Sequence, residues 1–179
     1  MLGDSLSAEY GLVRGTGWVT LLQKRLQNAK SDTVIVNASI SGETTSGGKS
    51  RLPALLKQHQ PAVVILELGA NDGLRGLSLR ANEENLREMI ESAKQAKAKV
   101  LLVGMRLPPN YGGEYANQFF ALYAKLARET RSALVPFFFE GVASNGEMFQ
   151  PDRLHPTAAA QPLILENIWP HLQPLLKSR

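Results

Sequence analysis

The feature that most constrains the fold is an alternation between short apolar runs and amphipathic helical segments. The apolar runs, at residues 33–37, 62–68, 99–104 and 133–138, are rich in Val, Ile, Leu or Phe. Almost continuous apolar character is typical of parallel strands that are buried on both faces. Because such strands alternate here with helices, the sequence predicts a three-layer α/β/α sandwich around a parallel sheet.

The amphipathic segments between the runs have the period of an α-helix, and their apolar residues fall on one face. These residues are Trp18, Leu21, Leu22 and Leu26; Leu86, Met89, Ile90 and Ala93; and Phe119, Leu122, Tyr123 and Leu126. We interpret the three faces as core. No repeat or long linker divides the chain, so we predict a single domain over residues 1–179.

Composition excludes several classes of function. The chain has no Cys, which removes disulfides, thiolate nucleophiles and Cys-based metal sites. The formal net charge is only +4 and the basic residues are scattered, so we do not expect a nucleic-acid-binding protein. No apolar run approaches the roughly 20 residues of a membrane-spanning helix, so we expect no integral membrane segment.

Small and polar residues collect after the apolar runs. In α/β proteins, ligands bind beyond the carboxyl ends of the parallel strands. The segments that follow the runs and the short Met1-Leu2 start are residues 3–7, 38–42, 69–73, 105–109 and 152–156. We therefore expect a site where these segments meet at one edge of the sheet.

Two of these segments hold the parts of an activated serine. A serine is a poor nucleophile until a base takes its proton. Among the three His residues, only His155 has a carboxylate at a useful spacing, Asp152 three residues earlier. Asp152 can accept from the imidazole Nδ1–H and leave Nε2 to receive the proton of Ser5. Taken alone, the Asp-x-x-His pair is more typical of a turn or a helix start on the surface.

Donors for a tetrahedral oxyanion are the other requirement of acyl transfer. Gly42 offers a backbone N–H without a side chain in the way, and Asn71 offers a carboxamide N–H. Each is also an ordinary turn residue. Only together with Ser5, Asp152 and His155 do they favour a catalytic interpretation.

The combined pattern resembles the SGNH (GDSL) hydrolase family. Four blocks carry the resemblance: Gly-Asp-Ser-Leu-Ser at 3–7, Gly42, Gly-Ala-Asn-Asp at 69–72, and Asp-Arg-Leu-His-Pro at 152–156. Within the family, residues 37–44, 67–76 and 106–112 are similar to the bacterial multifunctional esterase, acyl-CoA thioesterase I, protease I and lysophospholipase L1 group. The resemblance spans essentially the whole chain.

The resemblance implies a role for each of these residues. Ser5 is the nucleophile and first oxyanion donor, Gly42 and Asn71 are the other donors, His155 is the base, and Asp152 orients it. The family also implies a flavodoxin-like sheet of five parallel strands in the order 2-1-3-4-5, without a metal or organic cofactor. It further implies hydrolysis of esters, acyl thioesters and lysophospholipids by a bacterial periplasmic or secreted protein.

Further expectations concern the substrate and the start of the chain. We expect Asp72, Leu74, Leu107 and Pro108 to bind a small-molecule acyl ester or thioester in a monomeric protein. Other apolar residues either line an acyl groove or belong to the core: Leu77, Met105, Phe138 and Phe139. Glu9 stands where relatives often carry a small residue, which predicts a carboxylate near the site entrance. Only Met1 and Leu2 precede the first block, so we expect a truncated first strand and further apolar residues ahead of Met1 in the natural protein.

Two alternatives compete with the hydrolase interpretation. Gly47-Gly48-Lys49-Ser50 is similar to the end of a phosphate-binding loop, but the required first glycine would be residue 43, which is Glu43. A catalytically silent binding module on the same fold would be favoured if Ser5 and His155 were far apart. The G-x-S-x-G elbow of the α/β-hydrolases is absent from the sequence.

Overall fold

The computed structural model describes residues 1–177, apart from the side chain of Pro109. Its centre is a parallel sheet of four strands in the order β1-β2-β3-β4. The strands are β1 Leu2–Gly3, β2 Val63–Glu67, β3 Lys99–Val103 and β4 Ala133–Val135. Leu66, Leu101 and Leu102 are completely buried, as expected for strands covered on both faces.

Within the described residues 1–177, six α-helices flank the sheet. They are α1 Trp18–Asn28, α2 Thr45–His59, α3 Ala70–Leu74, α4 Leu79–Gln95, α5 Gly113–Thr130 and α6 Gln161–Lys177. Helix α1 packs with α6, while α2 and α5 pack with α4. Each of the three predicted apolar faces lies in the core, with Trp18, Leu86 and Phe119 fully buried. The predicted α/β fold with a parallel sheet is therefore confirmed.

The expectation of five strands is wrong by one strand, because residues 33–37 do not form one in the structure. The end of this segment and the residues that follow it, 36–40, run beside residues 1–3 and share three main-chain hydrogen bonds with them. The Met1 amino group donates to Val36 O, Ala38 N–H donates to Met1 O, and Ile40 N–H donates to Gly3 O. Since β1 has only two residues, the earlier part of the segment has no strand beside it. Ile35 N–H instead donates to the side chain of Gln23.

Short connections place the polar segments at the carboxyl end of the sheet. Ser5 follows β1 by two residues, and α3 with Asn71 begins three residues after β2. Residues 149 and 156 form an isolated antiparallel bridge that closes the loop carrying His155. Within residues 1–177, no helix is both long enough and apolar enough to cross a membrane.

Candidate active site

The turn that holds Ser5 is wound around Asp4. The N–H groups of Ser7 and Ala8 donate to Asp4 O at 3.2 and 3.0 Å, which makes a helical turn directly after β1. The Leu6 N–H donates to the Asp4 carboxylate at 3.0 Å. Asp4 is buried, whereas Ser5 is partly exposed. The turn therefore presents Ser5 at the surface from a fixed backbone.

His155 lies in a tight loop whose two sides are hydrogen bonded to each other. Gln150 N–H donates to His155 O at 2.7 Å, and Thr157 N–H donates to Met148 O at 2.8 Å. At the tip, one oxygen of Asp152 accepts from the N–H groups of Leu154 and His155 at 2.9 and 3.0 Å. The Asp-x-x-His spacing thus forms a closed turn in which the carboxylate faces its own histidine.

Ser5, His155 and Asp152 form one hydrogen-bonded line. His155 Nε2 lies 2.9 Å from Ser5 Oγ, and His155 Nδ1 lies 2.6 Å from Asp152 Oδ2. Partial burial would raise the pKa of Asp152, but the two backbone N–H donors and the imidazole outweigh it and lower the pKa to about 2. An ionised Asp152 favours the tautomer with hydrogen on Nδ1, which leaves Nε2 free to accept the serine proton. The geometry required for a silent binding module, a broken Ser5–His155 contact, is not found.

The predicted oxyanion donors differ in whether their N–H groups already donate to a protein acceptor. Gly42 has a φ of 80°, a conformation that suits glycine, and in the described part of the chain neither its N–H nor that of Ser5 donates to a protein acceptor. The side-chain nitrogen of Asn71 is already engaged, because it donates to Asp4 Oδ2 and to Glu43 O, both at 3.0 Å. An oxyanion would therefore have to share one of its hydrogens with a protein acceptor.

Asp4 and Glu67 are two buried acids at the turn that holds Ser5. Glu67, the last residue of β2, accepts from Ser7 Oγ at 2.7 Å, and Trp18 Nε1 donates to the same hydroxyl at 3.2 Å. Burial raises the pKa of Glu67 well above its usual range. Burial also raises the pKa of Asp4, to about 6, even though the Leu6 N–H, the His155 charge and the Asn71 amide lower it. Sequence reasoning gave neither acid a role.

The prediction that Asp72 binds substrate is not supported by its contacts. Its carboxylate is buried and accepts from the N–H and the hydroxyl of Thr45 at 2.9 and 2.6 Å. Asp72 thereby anchors the first residue of α2. The same contact argues against a phosphate-binding loop at residues 47–50, because these residues are helical and an acid already occupies the helix start.

The predicted apolar substrate contacts divide into core and surface. Leu107, Met105, Phe138 and Phe139 are buried in the core, so they do not form an open groove. Leu74 and Pro108 are partly exposed, and Leu77 is exposed. Of the predicted set, Leu74, Leu77 and Pro108 remain available to a substrate.

The Glu9 carboxylate, predicted to lie near the site entrance, is hydrogen bonded within its own loop. It accepts from the N–H groups of Gly15 and Gly17 at 2.9 and 2.8 Å and from Thr20 Oγ1 at 2.9 Å. Glu9 therefore organises the loop that leads into α1.

Sequence reasoning missed two residues that touch the triad. The ring of Tyr10 lies against His155, with 4.4 Å between the ring centroids and 39° between their planes. The side-chain nitrogen of Gln150 donates to Tyr10 O and Pro156 O at 2.9 and 3.1 Å. Neither residue type predicts such a contact, and the only available signal was their position beside the Ser5 and His155 blocks.

Comparison with known proteins gives consistent matches over nearly the whole chain. Residues 1–162 match the GDSL-like Lipase/Acylhydrolase family. The chain is 52% identical over 176 residues to esterase TesA of Pseudomonas aeruginosa, covering 98% of this chain and 88% of that protein. It is 48% identical over 176 residues to thioesterase 1/protease 1/lysophospholipase L1 of Escherichia coli K12, covering 98% and 83%.

A solved structure with the same fold is that of the psychrotrophic esterase EstA from Pseudoalteromonas sp. inhibited by monoethylphosphonate. The two structures superpose with a TM-score of 0.93 at 41% identity, covering 99% of this chain and 97% of the other. The family match, the identities and the superposition agree with the four sequence blocks. The chain therefore belongs to the GDSL-like lipase/acylhydrolase (SGNH) family and is a carboxylic ester hydrolase.

Proposed function

We propose that this ester hydrolase works through an acyl-enzyme formed on Ser5 Oγ, with His155 as the base and Asp152 as its orienting partner. The observation that carries the proposal is the continuous line of hydrogen bonds, 2.9 Å from Ser5 Oγ to His155 Nε2 and 2.6 Å from Nδ1 to Asp152. These distances lie within the range required of a nucleophile and its base.

The reaction follows from this geometry. His155 Nε2 takes the proton of Ser5 while Oγ attacks the acyl carbon. The oxyanion that forms is bound by the N–H groups of Ser5 and Gly42 and by the Asn71 amide. Collapse of this intermediate breaks the ester bond, and the leaving alcohol or thiol takes the proton from His155. Water, activated by the same imidazole, then attacks the acyl-enzyme and releases the acid.

The substrate class we propose is acyl esters, acyl thioesters and lysophospholipids. The names of the relatives, esterase TesA and thioesterase 1/protease 1/lysophospholipase L1, support this range. Leu74, which is partly exposed, and Leu77, which is exposed, follow the Asn71 segment, and their apolar side chains are available to pack on an acyl chain. We further propose that the protein acts as a monomer in the bacterial periplasm or outside the cell.

A matched pair of serine variants tests the proposal. Ser5→Ala should abolish hydrolysis of p-nitrophenyl esters and acyl-CoA thioesters of increasing chain length. Ser41→Ala removes an exposed serine next to Gly42 and should leave turnover intact. An alkylphosphonate p-nitrophenyl ester should add one phosphonyl group to the native protein and to Ser41→Ala, measured by intact mass. Turnover or an adduct in folded Ser5→Ala would contradict the assignment of Ser5.

A further inference from the structure

The two halves of the proposed triad lie 150 residues apart, so no single element fixes their distance. Gln150 connects them. Its side-chain nitrogen donates to Tyr10 O on the nucleophile side and to Pro156 O on the histidine side. Its backbone N–H donates to His155 O at 2.7 Å. One residue therefore joins the loop of His155 to the segment that follows Ser5.

The orientation of this amide is determined by its surroundings. Each hydrogen of the side-chain nitrogen has a carbonyl acceptor, so a glutamate at position 150 could not replace it. The amide oxygen lies so close to Gly11 that a Cβ atom there would be only 2.1 Å away. Gly11 also has a φ of 69°, which disfavours other residues. Gly11 and Gln150 thus form a close contact that any larger residue at position 11 would disturb.

Tyr10 contributes a second contact between the same two segments. The centroid of its ring lies 4.4 Å from that of the His155 ring. Because Tyr10 is about half exposed, burial in the core does not explain its position. The Tyr10 N–H donates to Ser5 O at 3.3 Å, which ties the ring to the nucleophile turn. The face of an aromatic ring attracts a cation. Imidazole becomes a cation when it takes the serine proton.

We propose that Gln150 and Tyr10 are positioning residues that hold the His155 imidazole against Ser5. Gln150 clamps the two loops through its amide, and Tyr10 limits the movement of the ring and favours its charged form during attack. The inference rests on the proposed triad, since both residues act through His155. It predicts an effect on kcat, because displacement of the base affects the chemical step more than it affects substrate binding.

Four variants and one control test the clamp. Gln150→Glu removes the donor at similar size, and Gly11→Ala displaces the amide from the other side. Because a misplacement of about 1 Å costs on the order of 10²-fold, each should lower kcat by about that factor with little change in KM. Tyr10→Leu should lower kcat by a few-fold, because no aromatic ring then faces the charged imidazole, while Tyr10→Phe should keep the native value. Gln58→Glu makes the same chemical change on the exposed face of α2 and should change neither constant.

The outcomes distinguish failure of this inference from failure of the proposed triad. A purely structural role would lower the thermal midpoint while leaving kcat unchanged well below the transition, and that result would overturn the inference. A rise in KM alone would also overturn it, by making Tyr10 and Gln150 substrate contacts. If Ser5→Ala is inactive while Gln150→Glu and Tyr10→Leu keep native kcat, only this inference fails. If Ser5→Ala is active, both fail.

Discussion

The buried carboxylate of Asp4 accepts a hydrogen bond from the side-chain nitrogen of Asn71 at 3.0 Å. The second acceptor of that nitrogen, Glu43 O, lies at the same distance. Together they fix which end of the Asn71 amide is nitrogen and which is oxygen. Asp4, which precedes the nucleophile, therefore orients a proposed oxyanion donor that is 67 residues away in the chain.

Asp4→Asn should weaken both the fold and the reaction. The two carboxylate oxygens of Asp4 accept from the Leu6 N–H and from Asn71, and an asparagine can offer only one oxygen. Leaving a buried donor unpaired costs about 1–3 kcal/mol, which urea unfolding would measure. We expect kcat to fall by less than the roughly 10²–10³-fold of a lost donor, because the Asn71 amide remains present. Native kcat in Asp4→Asn would show that Asn71 does not need this partner.

Asn71→Ala tests the donor itself. If the amide binds the oxyanion, its removal should raise the barrier by about 2.7–4 kcal/mol. The loss should appear in kcat for every acyl chain length, because the oxyanion is common to all substrates. A variant that keeps native kcat would reduce Asn71 to a turn residue that pairs with Asp4 and Glu43.

Much of this architecture was predictable from the sequence, because apolar runs and helical faces report burial directly. The apolar face of Leu86, Met89 and Ile90 in α4 is one example. The Asp152–His155 turn was predictable because its partners are three residues apart. The strand expected at residues 33–37 was not formed, because pairing depends on the length of its neighbour, β1, and not on the apolar residues of the segment itself.

Contacts between distant segments could not be predicted in the same way. Glu9, Asp72 and Gln150 all lie in or near the blocks that suggested a site, yet their partners depend on loop geometry. Asp72 was expected to face substrate, and it faces Thr45 because α2 begins beside it. Side-chain direction at such positions is set by tertiary packing, which a local pattern does not report.

The acidic limb of the pH–rate profile should involve two protons. His155 must be neutral to act as base, so protonation of its imidazole on acidification should lower the rate. Burial raises the pKa of Asp4 to about 6, so Asp4 also takes a proton on acidification below neutral pH, whereas Asp152, with a pKa of about 2, stays ionised. We expect a log-rate slope between one and two, reduced to one in Asp4→Asn. A flat profile from pH 5 to 9 with chemistry rate-limiting would contradict histidine catalysis.

Asp72→Ala should destabilise the fold and spare the chemistry. The variant leaves the buried N–H and hydroxyl of Thr45 without their carboxylate acceptor, at a cost of about 1–3 kcal/mol for an unpaired group. The measurements are the free energy of unfolding in urea and kcat/KM across acyl chain lengths. A changed chain-length preference with native stability would restore Asp72 as a substrate contact.

Glu9 provides the last test, because its backbone and its carboxylate have opposite effects on stability. Its φ of 61° is left-handed and favours glycine, while its carboxylate accepts from Gly15, Gly17 and Thr20. Glu9→Ala loses the hydrogen bonds and keeps the unfavourable φ. Glu9→Gly loses the same bonds but accommodates the φ, so it should be more stable than Glu9→Ala by up to about 1 kcal/mol.

The pH dependence of the same variants checks the role of the carboxylate. Partial burial would raise the pKa of Glu9, but hydrogen bonds from Gly15, Gly17 and Thr20, with the charge of Arg14, lower it below its usual value. A lowered folded-state pKa means that the stabilisation is present at neutral pH and is lost as the pH falls through and below the usual glutamate range. The stability difference between the native protein and Glu9→Gly, measured in urea, should therefore shrink between pH 7 and pH 3. A difference that stays constant with pH would show that the ionised carboxylate does not stabilise this loop.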